Sequence, residues 1–234
     1  MIKNKKILIT GGSSGLGQSL VIKLLQQNNK IYCLSRSNVK KRNKNLKFIK
    51  CNLKQIYTIK PKLKKLIDTK TLDYVFLNAG ILGKIKKINE INYKEIEEIF
   101  KINVFANKEI LDFLLEKKIK TKLIIAISSG AALSPKTGWF LYCCSKAAFK
   151  FLIESYAHEN NNQKFINISP GLIKTKMQAQ ICRVNEKKIA SVKKFIKLNK
   201  TNQVPSADEV ADNILKTVKK VNKTSGSYLD IRKK

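Results

Sequence analysis

Short apolar runs alternate with amphipathic stretches along almost the whole chain. Runs of strand length lie near residues 5–10, 30–35, 46–51, 72–78, 122–128 and 164–168. Between most of them apolar residues recur at helical spacing, near 15–28, 92–100, 103–118, 142–159 and 207–221. In the first of these, Leu20, Val21, Leu24 and Leu25 form the stripe. Strands alternating with helices predict an α/β fold, a doubly wound parallel sheet with helices on both faces. The 234 residues suit one domain spanning 1–234, and no internal repeat or linker divides them.

Two junctions carry candidate chemistry. After the first strand comes Thr10-Gly11-Gly12-Ser13-Ser14-Gly15-Leu16-Gly17, and then the first helical stripe. Strand, glycine turn and helix in that order form a nucleotide phosphate site. The glycines allow a tight turn and close backbone approach, and a helix N-terminus favours an anion. The second junction follows the apolar run Leu123 to Ile127, which ends in Ser128-Ser129 and leads to Tyr142-Cys143-Cys144-Ser145-Lys146. Tyr142 and Lys146 stand one helical turn apart on one face. A free phenol titrates near ~10, and a neighbouring ammonium lowers that value. Ser129 is placed to hold a substrate oxygen while Tyr142 gives or takes the proton. A plain helix with an exposed Tyr and Lys is the bland alternative for this pair alone.

In this order and at this separation the two motifs resemble the short-chain dehydrogenase/reductase family, over nearly the whole chain. The resemblance implies a Rossmann-type sheet with a seventh strand at Tyr228 to Ile231. It implies that Gly11, Ser13, Ser14, Gly15, Leu16 and Gly17 form the cofactor loop, and that Asn78-Ala79-Gly80 is the motif after the fourth strand. Asn103, Ser129, Tyr142 and Lys146 match the catalytic tetrad. Pro170-Gly171, with Ile173 and Thr175, matches the loop over the nicotinamide. Carried over, Tyr142 donates the proton. Lys146 lowers the Tyr142 pKa and bonds the nicotinamide ribose, and Asn103 holds a water linking Lys146 to solvent.

The second strand ends at Leu34-Ser35-Arg36, with no acid to bind a ribose diol. Arg36 suits a 2′-phosphate, so NADP is expected, NADPH over NADH. Cys51-Asn52 replaces the family's frequent Asp, and Asn52 remains an adenine contact. Ser129-Gly130-Ala131-Ala132, Gly138-Trp139 and Thr175 to Gln178 are similar to the sepiapterin and benzil reductase branch. That likeness implies NADPH-dependent reduction of a ketone or vicinal dicarbonyl to an alcohol.

Ser129, Trp139, Tyr142, Met177 and Asp230 are then the substrate residues. Asp230 is either an anchor, by likeness to the sepiapterin reductase tail, or a solvated strand-end acid. Trp139 and Leu133 either line the mouth of the site or, for the Trp, pack structurally. Residues 172–205 read as the substrate lid, with Met177, Ile181, Val184, Ile189, Val192 and Phe195 as its apolar positions. Two rivals stand beside this reading. One is a 3-oxoacyl-carrier-protein reductase with the same tetrad; the other is a cofactor-sensing or nucleic-acid-binding protein on the same fold.

Charge changes this picture little. Forty-eight basic residues face sixteen acidic ones, for a net +32. The cations are nearly all lysine and are scattered, as at Lys40-Lys41, Lys64-Lys65, Lys117-Lys118, Lys187-Lys188 and Lys193-Lys194. Lys, Asn and Ile share A/T-rich codons, so a biased genome accounts for the excess. No aromatic platform or basic recognition helix accompanies it, so no specific nucleic-acid partner is expected. The lone His158, read as a surface residue, excludes multi-histidine zinc sites and a Ser-His-Asp hydrolase; no metal is expected. Five cysteines without metal spacing fit packing residues in a reducing compartment. No apolar segment spans a bilayer and no signal-peptide pattern opens the chain, so a cytoplasmic location without a membrane partner is expected. Family likeness implies a homo-oligomer, a dimer or tetramer, acting on a small carbonyl compound.

Overall fold

The computed structural model describes residues 2–39 and 43–232, so Lys40, Lys41 and Arg42 lie outside the described residues. Seven strands form one sheet: β1 (Lys6–Thr10), β2 (Lys30–Ser35), β3 (Leu46–Lys50), β4 (Thr71–Leu77), β5 (Lys120–Ile127), β6 (Lys164–Ser169) and β7 (Tyr228–Asp230). Their order is β3-β2-β1-β4-β5-β6-β7, with every neighbouring pair parallel. The chain winds outward from β1 through β2 and β3, then crosses back to β4. The C-terminal ends of β1 and β4 therefore flank the switch point, where open parallel sheets bind ligands.

Alternation along each strand divides the core in two. Leu8, Tyr32, Leu34, Val75, Leu77, Ile124, Ala126 and Phe165 face α2 (Ile59–Leu66), α4 (Ala106–Glu116) and α5 (Phe140–Glu159). Ile7, Ile9, Cys33, Phe76, Ile125, Ile127, Ile166 and Ile168 face α1 (Gly15–Leu25) and α8 (Ala207–Lys220). Strands covered on both sides must be apolar at every position, which is why they read as unbroken runs. Each fully buried side chain of this size contributes roughly 1.5–3 kcal/mol.

Three elements differ from the sequence expectation. α2 was not expected, because its sequence is lysine-rich and contains Pro61. The proline sits in the first turn, where its missing N–H removes no helical bond. Ile59, Leu63 and Leu66 alone bury the helix. The stretches 92–100 and 103–118 are not separate helices. α3 (Tyr93–Phe100) passes through a π turn, Lys101–Phe105, straight into α4. The segment after Pro170 holds two short helices, α6 (Lys176–Cys182) and α7 (Lys193–Lys200). All five cysteines are free, with Cys33, Cys51 and Cys143 buried. His158 is exposed, and no helix among the described residues is long and apolar enough to cross a membrane.

One buried hydroxyl sets the two ends of the switch point against each other. Thr10 is fully buried, and its Oγ1 accepts from the backbone N–H of Asn78 and of Ala79, each at 3.0 Å. The Asn78 amide returns the tie, donating to Thr10 O at 2.9 Å and Gly11 O at 3.3 Å. Thr10→Val keeps the shape and leaves two N–H groups without an acceptor. The expected destabilisation is about 1–3 kcal/mol, read as a lower urea midpoint at unchanged m value.

Candidate active site

The glycine turn is fixed by close backbone approach. Gly11 takes φ +71° and Gly15 φ +52°. A Cβ on Gly17 would lie 2.2 Å from the Gly11 carbonyl oxygen and 2.4 Å from Asn78 Nδ2. Ser14 is the N-cap of α1 in extended conformation, and its side chain makes no capping hydrogen bond. No acid lies in the first turn of α1. The helix therefore offers free N–H groups and its positive end to an anion, which fits a pyrophosphate. Thr175, the N-cap of α6, packs its methyl 3.2 Å from where a Gly15 Cβ would be. The segment after Pro170 thus meets the turn, with Ile173 partly buried against the α1–α8 core.

Arg36 is exposed just past β2, while Ser35 is buried and donates to Ser37 O at 2.7 Å. Asn52 is partly exposed beside the C-terminal end of β3, its Oδ1 accepting from Lys54 N at 3.2 Å.

The four tetrad residues come together, but two hold partners the sequence did not suggest. Asn103 lies in the π turn, 1 % exposed. Its Oδ1 accepts from Ile81 N at 2.8 Å, and its Nδ2 donates to Ile81 O and Ser145 Oγ, both at 2.9 Å. Asn107, also fully buried, donates to the Asn103 carbonyl at 2.9 Å. The side chain of Asn103 is thus a clamp between the loop after β4, the π turn and α5. Gly80 completes the clamp: a Cβ there would meet Asn103 Oδ1 at 3.3 Å and Lys146 Nζ at 3.6 Å. Asn107, Ser145 and Ile81 were missed as supporting residues. Asn107 was readable as the i+4 neighbour of Asn103; the Ile81 pairing was not, since it crosses between elements.

Ser129, two residues past β5, caps a short turn, Gly130–Ala132, its Oγ accepting from Ala131 N at 3.2 Å. Lys146, 4 % exposed, donates to the Ile127 carbonyl at 2.7 Å. Burial holds its ammonium down to about 8. Tyr142 is partly buried between these groups, and burial pushes its phenol up to about 12, with the Ser129 hydroxyl pulling the other way. The expectation that Lys146 lowers this pKa is corrected here. Desolvation of the phenolate outweighs every lowering influence, and the ammonium bonds a carbonyl while standing 5.9 Å from the phenol ring centroid. Burial thus favours the protonated form of the Tyr142 phenol. On the sheet face that packs against α5, Ser128, Asn167 and Ser169 bury polar atoms with no hydrogen-bond partner among the described residues.

The substrate candidates separate. Trp139 does not face an opening. It is 4 % exposed, its indole N–H donates to Ser191 Oγ at 2.9 Å, and its ring lies 5.0 Å from Phe195 and 6.3 Å from Tyr142. Met177 packs, partly buried, in the same small cluster, while Leu133 is exposed. Asp230 stands at the end of β7 beside Ser169, and its carboxylate takes Arg232 Nε at 2.8 Å and Nη2 at 2.5 Å. It is therefore not a lone anchor. Arg232, which sequence reasoning passed over, leans across Gly171. No cluster able to hold a metal ion is present among the described residues.

Comparison with known proteins agrees with this geometry. A sequence profile of the short chain dehydrogenase family matches residues 5–186. The benzil reductase ((S)-benzoin forming) of Bacillus subtilis is 29 % identical, covering 96 % of this chain and 97 % of that protein. An uncharacterized oxidoreductase of Schizosaccharomyces pombe is 33 % identical, covering 76 % and 74 %. The crystal structure of a short-chain dehydrogenase/reductase from Saccharomyces cerevisiae superposes with a TM-score of 0.87 at 24 % identity, covering 97 % and 96 %.

The buried ammonium predicts a pH signature. The native pKa of Lys146 is about 8 against 10.5 for a free lysine. Between those values the unfolded chain holds the extra proton, so the Lys146 contribution to stability rises with pH, by up to about 3 kcal/mol. Below pH 8 both states are protonated and the slope vanishes. Lys146→Met should lack this increment. Urea unfolding of both proteins at pH 7.5 and on up to 10 should give a difference that grows along the series.

Proposed function

The chain belongs to the short-chain dehydrogenase family of oxidoreductases, and on that footing we propose that it reduces a ketone or vicinal dicarbonyl to an alcohol with NADPH, Tyr142 giving the proton. The carrying observation is geometric: the Tyr142 phenol faces the Ser129 hydroxyl, with the buried Lys146 ammonium 5.9 Å from its ring centroid and anchored on the Ile127 carbonyl. The name of the full-length Bacillus subtilis relative, a benzil reductase, supports the substrate class.

The family uses a nicotinamide cofactor, which supplies the hydride when bound. The chain supplies the rest. The Gly11–Gly17 turn and the α1 N-terminus bind the anionic pyrophosphate, and Thr175 closes against Gly15. Ser129 holds the carbonyl oxygen as charge develops on it, and Tyr142 protonates that oxygen. Lys146 is a buried acid able to restore the proton to Tyr142. Asn103 keeps Ile81 and Ser145 in place so that Lys146 and Tyr142 stay aligned.

Two experiments test the reading. Tyr142→Phe removes the transferable proton. The expected result is a kcat lower by about 10²–10⁴-fold with NADPH affinity retained. Near-normal turnover would reject the role of Tyr142. Arg36, exposed beside the cofactor turn, is the residue we assign to the 2′-phosphate. Arg36→Ala should weaken NADPH by about tenfold or more and leave NADH nearly as it was. A wild type that prefers NADH would reject the cofactor assignment.

A further inference from the structure

At the C-terminal edge of the sheet, β5, β6 and β7 end side by side. Ile127 pairs with Ile168, and Ser169 with Asp230. The residues just past those ends are Ser129-Gly130, Pro170-Gly171 and Arg232. Arg232 runs back across the other two. Gly171 has φ +77°, and a Cβ there would strike Arg232 Cδ at 2.6 Å. Gly130 faces the same side chain, its Cβ position 4.0 Å from Arg232 Nη2. Two glycines thus make the bed in which this arginine lies, and the second directly follows Ser129.

The guanidinium is also oriented. Asp230 takes Nε and Nη2 side-on, a bidentate fork that fixes the plane. Nη1 makes no hydrogen bond among the described residues. What the β7 end presents toward Ser129 is therefore a positioned cationic donor, and the carboxylate beneath it is the positioning group. An amino group on the substrate would meet the wrong sign of charge. An oxygen acceptor would meet the right one.

We infer that Arg232, held by Asp230, binds a second oxygen acceptor on the carbon next to the carbonyl that Ser129 and Tyr142 engage. This rests on the reductase reading above and narrows its substrate class to α-dicarbonyls, in which that acceptor is a second ketone or a carboxylate. Ser129 and Gly130 are one Cα step apart, about 3.8 Å. Arg232 Nη2 approaches the Cβ position of Gly130 at 4.0 Å, so the guanidinium reaches the residue that directly follows Ser129. A ketone without the second oxygen loses this contact and keeps all the others.

The test compares benzil and phenylglyoxylate with trifluoroacetophenone, an activated ketone with no second carbonyl oxygen. Kinetics with NADPH are measured for wild type, Arg232→Met and Asp230→Asn. Binding of phenylglyoxylate is also followed by calorimetry on the NADP⁺-saturated protein, where no hydride is available. Arg232→Met should raise KM for benzil and phenylglyoxylate about five- to tenfold more than for trifluoroacetophenone, the solvent-exposed contact being weaker than a buried one. The calorimetric Kd should rise in step, and Asp230→Asn should give a smaller change in the same direction. A larger effect on phenylglyoxylate than on benzil marks the carboxylate as the preferred acceptor; the reverse marks the ketone.

Equal losses for all three ketones, or none, overturn the proposal. So does a wild type that reduces trifluoroacetophenone and neither α-dicarbonyl, an outcome that leaves the general reductase reading standing. A wild type that reduces none of the three, or fails to bind NADP⁺, removes that reading and this proposal with it.

Discussion

A lysine ammonium with 4 % exposure and no paired carboxylate among the described residues is the constraint on which the rest of the site depends. Taking such a charge from water is costly, and nothing in the core repays it as an ion pair. The partial compensations are specific. The Ile127 carbonyl accepts from it at 2.7 Å, and the Phe149 ring lies 5.3 Å away. Both fix where α5 can sit on the sheet. With Lys146 pinned to the end of β5, Tyr142 falls one turn earlier and lands beside Ser129, the second residue after that strand. Gly80 lies against this site, where a Cβ would press on Asn103 Oδ1 at 3.3 Å and touch Nζ at 3.6 Å, and Asn103 holds the adjoining Ile81 in place. The buried Phe149, Ile153, Tyr156 and Ala157 of α5 hold the rest of the helix on the same sheet face.

The same dependence explains which parts were legible in the sequence. The parallel sheet and its order of helices were readable because strands buried on both faces must be apolar throughout. Tyr142 and Lys146 were readable because i and i+4 share a helical face, and the glycine turn because strand, glycines and helix are contiguous. α2 was not, since three apolar residues among lysines leave only a faint stripe. The Asn103 clamp was not either. Its partners are Ile81, twenty-two residues upstream, and Ser145, forty-two downstream, and a π turn shifts the helical phase between α3 and α4. Arg232 carried no signal in the sequence, because only the β6–β7 register sets it over Gly171.

The large positive charge bears on this less than its size suggests. Most ion pairs among the described residues join exposed lysines to carboxylates, such as Asp68 with Lys30 and Lys47, of a kind worth little each. The two groups whose titration matters, Tyr142 and Lys146, are shifted first of all by desolvation. Burial alone moves the phenol up and the ammonium down. The usual order is inverted: a free lysine at 10.5 holds its proton slightly more tightly than a free tyrosine at 10.0, whereas here Tyr142, at about 12, holds its proton far more tightly than Lys146, at about 8. A donor that keeps its proton until an oxygen with greater basicity arrives is the arrangement a carbonyl reduction requires, because charge builds on that oxygen only in the transition state.

The segment 172–205 belongs to this balance rather than standing outside it. Leu82, Trp139, Cys143, Ile181, Ile189 and Val192 form a third cluster on neither face of the sheet. It is built half from the start of α5 and half from the segment around α6 and α7. Trp139 is its centre, bonded to Ser191, against Phe195, with the Tyr142 ring at its edge. The segment is also tied at its base, where Lys174 bridges Ser206, and at its front, where Thr175 meets Gly15. The burial that raises the Tyr142 pKa is thus supplied partly by a cluster to which the segment after Pro170 contributes, the same segment whose Thr175 meets Gly15. Trp139 therefore links those helices to the phenol: its ring packs on Phe195 on one side and on Tyr142 on the other, so the packing of α7 bears directly on how deeply Tyr142 is buried.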